Sequence, residues 1–236
     1  MPNNHFRFKQ FVVHQEKSAM KVGTDGVLLG AWANVGSAKR ILDVGTGTGL
    51  IALMLAQRSN VPIDAVEIDE PSAEQAKENV KRSRWADRIS VYCKAFQAFE
   101  RESSHKYDLI VSNPPYFVES LKSPEIARTI ARHNELLPHS DLLKGLSNLL
   151  NENGRFVGIF PYVEGNVFIA KAVDYNLYCT RRTEVKGKTN GKPIRVLLEF
   201  SGSRRSMDEN SISIRETDGG YTSDYITLTK DFYLAF

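Results

Sequence analysis

The chain has 236 residues and a net charge of +3, with 42% apolar, 25% charged and 10% aromatic residues. Its 12 Phe, 9 Tyr and 2 Trp supply enough apolar surface to exclude a wholly disordered chain. No apolar run approaches the roughly 18 residues that cross a bilayer, and residues 1–10 are polar and basic, so neither a membrane protein nor a secreted one is expected. Cys93 and Cys179 lack C-x-x-C spacing and the histidines show no H-x-x-x-H, which leaves a cytoplasmic, metal-free protein as the expectation.

In chain order, an amino-terminal arm and helix (1–39) precede a run of alternating elements. Apolar stretches at 40–44, 63–68, 89–93, 107–112 and 155–160 predict strands; the segments 50–58, 72–82 and 140–150 between them predict helices. Such alternation implies a parallel sheet with helices on both faces. A helix at 164–175 then leads to strands at 178–186 and 194–200, joined through Thr189-Asn190-Gly191, where Asn-Gly is a strong hairpin signal. The expected fold is therefore α/β and Rossmann-like, a seven-stranded mostly parallel sheet with one antiparallel strand. Residues 201–210 read as a loop or bulge between late strands, and 201–236 as a carboxy-terminal strand and helix extension of one domain spanning 1–236. In it Tyr221, Tyr225, Leu228 and Phe232 recur at helical intervals, with Ser223 as the cap.

The first strand runs into Asp43-Val-Gly45-Thr46-Gly47-Thr-Gly49 and then a helix. Glycines there permit positive φ and close approach of backbone to a ligand. A nucleoside triphosphate loop would continue Gly-Lys-Ser/Thr, and a dinucleotide fingerprint would need glycine where Leu50 stands. The carboxylate of Asp43 would repel a pyrophosphate but suits a ligand carrying an ammonium and a sulfonium, as S-adenosylmethionine does. At the end of the second strand Glu67, followed by Ile68, can accept both ribose hydroxyls, while Asp69 reads as a helix cap.

The fourth strand ends in Asn113-Pro114-Pro115-Tyr116. Two prolines stiffen the loop and remove amide donors, leaving the Pro114 carbonyl and the Asn113 side-chain oxygen as two acceptors for one NH2 group. Holding both hydrogens out of plane localises the nitrogen lone pair for attack on a methyl carbon, and Tyr116 can stack on a base. A stiff turn alone would also explain the four residues.

Charge is unevenly distributed. Residues 181–205 carry eight basic side chains against Glu184 and Glu199, whereas 206–236 carry six acids against Arg215 and Lys230. Arg181, Arg182, Lys186, Lys188 and Lys192, together with Arg128, Arg132 and His133 on an expected helix at 124–134, are candidate contacts to a polyanion; a solvated surface is the alternative.

The glycine loop and Asn-Pro-Pro-Tyr together resemble the class I S-adenosylmethionine-dependent methyltransferases that modify exocyclic or amide nitrogens. The opening Lys21-Val-Gly-Thr24-Asp-Gly-Val-Leu-Leu-Gly-Ala-Trp32 and the closing Tyr221-Thr-Ser-Asp-Tyr225-Ile-Thr-Leu-Thr-Lys-Asp-Phe232-Tyr-Leu resemble a narrower family, the bacterial tRNA (adenine-N6) methyltransferases acting on the adenosine next to the anticodon of a valine tRNA. The resemblance implies that Asp43, Gly45, Thr46, Gly47, Gly49, Glu67 and Ile68 hold the cofactor, with Lys21 and Thr24 near its methionine carboxylate. It implies that Asn113, Pro114 and Tyr116 hold the target amine of a tRNA, and a monomer is expected. Many such enzymes bind the cofactor adenine through an acidic residue where this chain has Ala95, so backbone there or Phe96 is expected to serve. Release-factor glutamine methylation is the nearest rival, although those enzymes carry a sizeable helical domain before the glycine loop; rRNA or DNA amino methylation and a noncatalytic RNA-binding module are the others.

Overall fold

The computed structural model describes residues 4–18, 20–114 and 137–236. In chain order its elements are β1 (His5–Arg7), β2 (Val12–His14), α1 (Thr24–Trp32), β3 (Ile41–Val44), α2 (Leu50–Arg58), β4 (Ile63–Glu67), α3 (Glu70–Lys81), β5 (Ile89–Cys93), α4 (Phe96–Glu102) and β6 (Tyr107–Ser112). There follow α5 (His139–Leu149), β7 (Leu150–Pro161), α6 (Tyr162–Ala172), β8 (Tyr178–Lys188), β9 (Pro193–Ser201), β10 (Asp208–Arg215) and α7 (Ser223–Thr229). The expected helix at 124–134, with Arg128, Arg132 and His133, lies outside the described residues, as does Tyr116.

An eight-stranded sheet in the order β10-β8-β9-β7-β6-β3-β4-β5 forms the scaffold. Strands β3 and β4 are buried along their whole length, as the centre of a parallel sheet covered on both faces requires. Their apolar runs make the elements, and the alternation with helices makes the right-handed crossovers. Strand β9 is antiparallel to both β7 and β8, and every other pairing in the sheet is parallel. The single reversed strand thus sits where the Thr189-Asn190-Gly191 turn places it, with Gly191 N–H donating to the Lys188 carbonyl at 2.9 Å.

The expected count of seven strands is corrected to eight. Residues 208–215, read partly as loop, form β10 and pair in parallel with β8, Ile212 opposite Val185. Only Ile212 and Ile214 mark its inward face, and both pack onto the core, so the strand expected within the carboxy-terminal extension carried too little periodicity to fix its bounds or its place in the sheet. A small β1–β2 hairpin, also unexpected, covers the amino-terminal arm.

One face of the sheet packs on α1, α2 and the aromatic side chains of both termini, including Phe8, Phe11, Tyr225 and Phe232. The other packs on α4, α5 and α6, with Phe168 seated among Phe160, Phe200 and Phe156 at centroid distances of 4.6, 5.4 and 5.8 Å. Truncating such a ring to alanine costs about 3–5 kcal/mol. The last helix starts one residue earlier than expected: Thr222, rather than Ser223, is its cap, accepting the Tyr225 N–H at 3.2 Å.

Candidate active site

Open parallel sheets bind ligands beyond the carboxyl ends of their strands. There the glycine loop leaves β3. Gly45, Gly47 and Gly49 have φ of +72°, +56° and +82°, a region side chains rarely adopt. Nothing lies within 4 Å of where a Cβ would stand on Gly45 or Gly47, so the loop presents bare backbone to open space, whereas Gly49 packs behind on Ala76 at 3.5 Å. The loop is held from β4 by the Gly45 and Thr46 N–H groups donating to the Val66 carbonyl, at 2.8 and 3.1 Å.

Two carboxylates brace it. Glu67, 6% exposed, accepts the Gly47 N–H at 2.8 Å and the Asp69 N–H at 2.9 Å, one on each oxygen, so each oxygen keeps a lone pair toward the cavity. Asp43 is fully buried beneath the loop; its Oδ2 accepts from the Thr46 hydroxyl at 2.6 Å and the Ala52 N–H at 3.2 Å, and its Oδ1 has no partner among the described residues. Burial pushes its carboxyl up to about 7, opposed by the two hydrogen bonds and reinforced by Glu67 nearby.

A cavity of about 460 Å³ opens over this loop, the size of a small-ligand site. Of the residues expected at the cofactor, Lys21, Thr24, Gly45, Thr46, Gly47, Glu67, Ile68, Phe96 and Asn113 line it. Asp43, Gly49 and Ala95 do not: Asp43 and Gly49 shape the loop from behind, and Ala95 is the residue before α4. Lys21 Nζ donates to the Gln15 carbonyl. Ser18, Met20, Thr48, Asp25, Ser72, Lys94, Gln97 and Leu137 line the cavity without having been foreseen. Asp25 lies inside the Lys21–Trp32 stretch and Thr48 inside the glycine loop already singled out; Ser18, Met20, Ser72, Lys94, Gln97 and Leu137 carry no sequence signal of a ligand.

Asn113 and Pro114 reach the same cavity from the end of β6. The Asn113 Oδ1 is buried without a hydrogen-bond partner among the described residues. A buried acceptor left open is costly, about 1–3 kcal/mol, and such a group marks a place where a donor is to be received. Bare glycine backbone, an acceptor pair on Glu67 and this open oxygen together fit an uncharged-ribose, cationic cofactor on one side and an amine on the other.

The basic run of β8 divides in two. Arg181 lies 3.5 Å from the Trp32 ring centroid and pairs with the buried Glu199 at 3.2 Å, a carboxylate that Arg155 and Arg205 also reach, each at 3.4 Å. Arg182 pairs with Glu184 at 3.1 Å. Both arginines are half-buried parts of the scaffold. By register Arg182 stands level, through Leu198 and Gly158, with Ser112. From there β8 runs on past the end of β6, carrying Lys186 and exposed Lys188 beyond the carboxyl edge, with exposed Lys192 across the turn.

Comparison with known proteins agrees with this geometry. The chain matches a predicted O-methyltransferase from Agrobacterium tumefaciens at a TM-score of 0.66, with 18% identity over 88% of this chain and 96% of that one. It matches a glycopeptide N-methyltransferase, MtfA, solved with S-adenosylmethionine, at 0.57, with 12% identity over 77% and 99%. The methyltransferase small domain family matches residues 18–140. Fold and site thus define a class I S-adenosylmethionine-dependent methyltransferase. At 48% identity over the full length of both chains the sequence is similar to the tRNA1(Val) (adenine(37)-N6)-methyltransferase of Trichodesmium erythraeum. The relatives of the same description from Bacteroides fragilis and Histophilus somni are 48% and 42% identical, over 99% and 98% of each chain. The chain belongs to the tRNA1(Val) (adenine(37)-N6)-methyltransferase family.

Proposed function

We propose that the protein methylates N6 of adenosine 37 in a valine tRNA, as its relatives' names describe, and works in the cytoplasm where that substrate is made. The unpartnered Asn113 oxygen carries this reading, because it supplies an acceptor for an exocyclic amine at the wall of the cofactor cavity. When bound, S-adenosylmethionine supplies an electrophilic methyl group. Gly45 and Gly47 would receive it against backbone and Glu67 would take its ribose hydroxyls on the lone pairs left free, with Lys21 and Thr24 lining the same cavity.

Asn113 and the Pro114 carbonyl take the two amine hydrogens of the target and hold its nitrogen lone pair out of the ring plane. The nitrogen so held would gain the methyl carbon as that carbon's bond to the sulfonium sulfur breaks, leaving S-adenosylhomocysteine, and would release one proton to solvent. Lys186, Lys188 and Lys192 project beyond the same sheet edge and attract the phosphates that flank the target, whereas Arg181 and Arg182 hold the scaffold. Labelled methyl transfer into total tRNA, rRNA, DNA and a release factor, followed by nucleoside analysis, tests the reading. It expects N6-methyladenosine in tRNA alone; label in a glutamine amide would replace it with the rival substrate.

A further inference from the structure

On α3, Ser72, Gln75 and Asn79 lie on one face, at i, i+3 and i+7, and all three are at most 5% exposed. They fasten the segment that leads from β2 to α1. The Ser72 hydroxyl bonds the Ser18 hydroxyl at 3.2 Å, and the Gln75 side-chain oxygen accepts the Lys17 N–H at 3.2 Å. Asn79 pairs with His14 as a strand would: its Oδ1 accepts the His14 N–H at 2.9 Å and its Nδ2 donates to the His14 carbonyl at 2.8 Å. The second Nδ2 hydrogen goes to the carbonyl of Thr48, in the glycine loop, at 2.9 Å.

Of the three, Asn79 alone bonds both the segment that leads into one wall of the cavity, at His14, and the glycine loop, at Thr48. Past His14 the chain supplies Ser18, Met20, Lys21 and Gly23 to one wall; Thr48 belongs to the other. We infer that Asn79, though it does not line the cavity, is a positioning residue that sets the spacing between the glycine loop and the strap formed by residues 15–18 and 20–23, and thereby the affinity for the cofactor. This rests on the assignment of the cavity to S-adenosylmethionine and not on the identity of the RNA. Only an amide does the task. It offers one acceptor and two donors to one N–H and two carbonyls, a match no carboxylate or hydroxyl provides.

The experiment compares Asn79→Asp with Gln75→Ala by calorimetric titration with S-adenosylhomocysteine. Asn79→Asp keeps the shape and the bond to the His14 N–H but turns both donors into acceptors facing carbonyls. Its Kd is expected to rise about 10- to 100-fold, as for loss of a buried hydrogen bond with its partner left unsatisfied. Gln75→Ala, which frees the strap only at Lys17, should raise Kd far less. With cofactor saturating, kcat and the KM for tRNA of Asn79→Asp should return to wild-type values. Amide exchange of the wild-type protein provides a readout that does not depend on a folded variant: S-adenosylhomocysteine should protect the strap and residues 45–53 together. Unchanged affinity in a folded Asn79→Asp, a kcat that stays low at saturation, or protection of the glycine loop alone would each overturn the inference. A wild-type protein that binds no S-adenosylhomocysteine would overturn the cavity assignment first.

Discussion

The glycine loop and the β8–β9 hairpin stand at the same edge of one sheet and are built in opposite ways. Around the loop both carboxylates are themselves held: Glu67 by two backbone amides, Asp43 by a hydroxyl and an amide. On the hairpin Lys186, Lys188 and Lys192 extend from paired backbone with no ion-pair partner among the described residues. A small ligand is bound by groups whose freedom was removed on folding. A polyanion is met by long cationic side chains whose exact placement matters little, because much of the affinity comes from released counterions.

That contrast makes graded expectations. Asn113→Ala should have the largest effect, a fall in kcat on the order of 100- to 1000-fold with cofactor affinity nearly unchanged, measured by single-turnover methyl transfer beside calorimetric titration. Wild-type turnover in that variant would remove Asn113 from the reaction. Glu67→Ala should weaken S-adenosylhomocysteine binding about 10- to 100-fold, as for a lost hydrogen bond to a charged group, and leave the KM for tRNA alone. Replacing Lys186, Lys188 and Lys192 together by alanine should raise that KM and lower the salt dependence of tRNA binding by roughly one unit per lysine. Arg181→Ala should instead lower thermal stability with the salt slope intact. An equal slope change for both variants would erase the division drawn between them.

The smallest effect is a dependence on pH. Because the folded pKa of Asp43, about 7, lies above the ordinary 3.8, the folded state keeps a proton that the unfolded chain releases. Its contribution to stability is therefore full below about 4 and is lost as pH rises through about 7. A cation in the cavity favours the carboxylate, so cofactor binding below pH 7 should release a proton. Both signals should vanish in Asp43→Asn, as followed by thermal melts between pH 4 and 8 and by calorimetry in buffers of different ionisation enthalpy.

The cofactor half is legible in the sequence because its chemistry is local: a strand, three glycines and an acid at the end of the next strand. Glu67 and Asn113 follow from strand ends alone. Asp43 stands out in the sequence as a carboxylate facing the ligand, yet it lies beneath the loop and outside the cavity lining, because the turn points its carboxylate back at Thr46 and Ala52. The basic run 181–192 was visible as a cluster, but charge counting cannot tell Arg181, pressed on Trp32 from a distant helix, from Lys188 beyond the edge. That distinction needs the register of β8 against β9 and β7. The bounds and pairing of strand β10 and the strap residues Ser18 and Met20 went unread for the same reason: their roles are set by contacts far away in sequence.

Strand β10 has a consequence outside catalysis. Without it β8 would present an open row of amides and carbonyls beside a buried core, a template for another chain to join. Strand β10 closes that row and turns outward Asp208, Glu209 and Arg215, charges that discourage a ninth strand from adding. Removing residues 201–236 should therefore show itself first as self-association and precipitation at concentrations where the intact protein stays in solution.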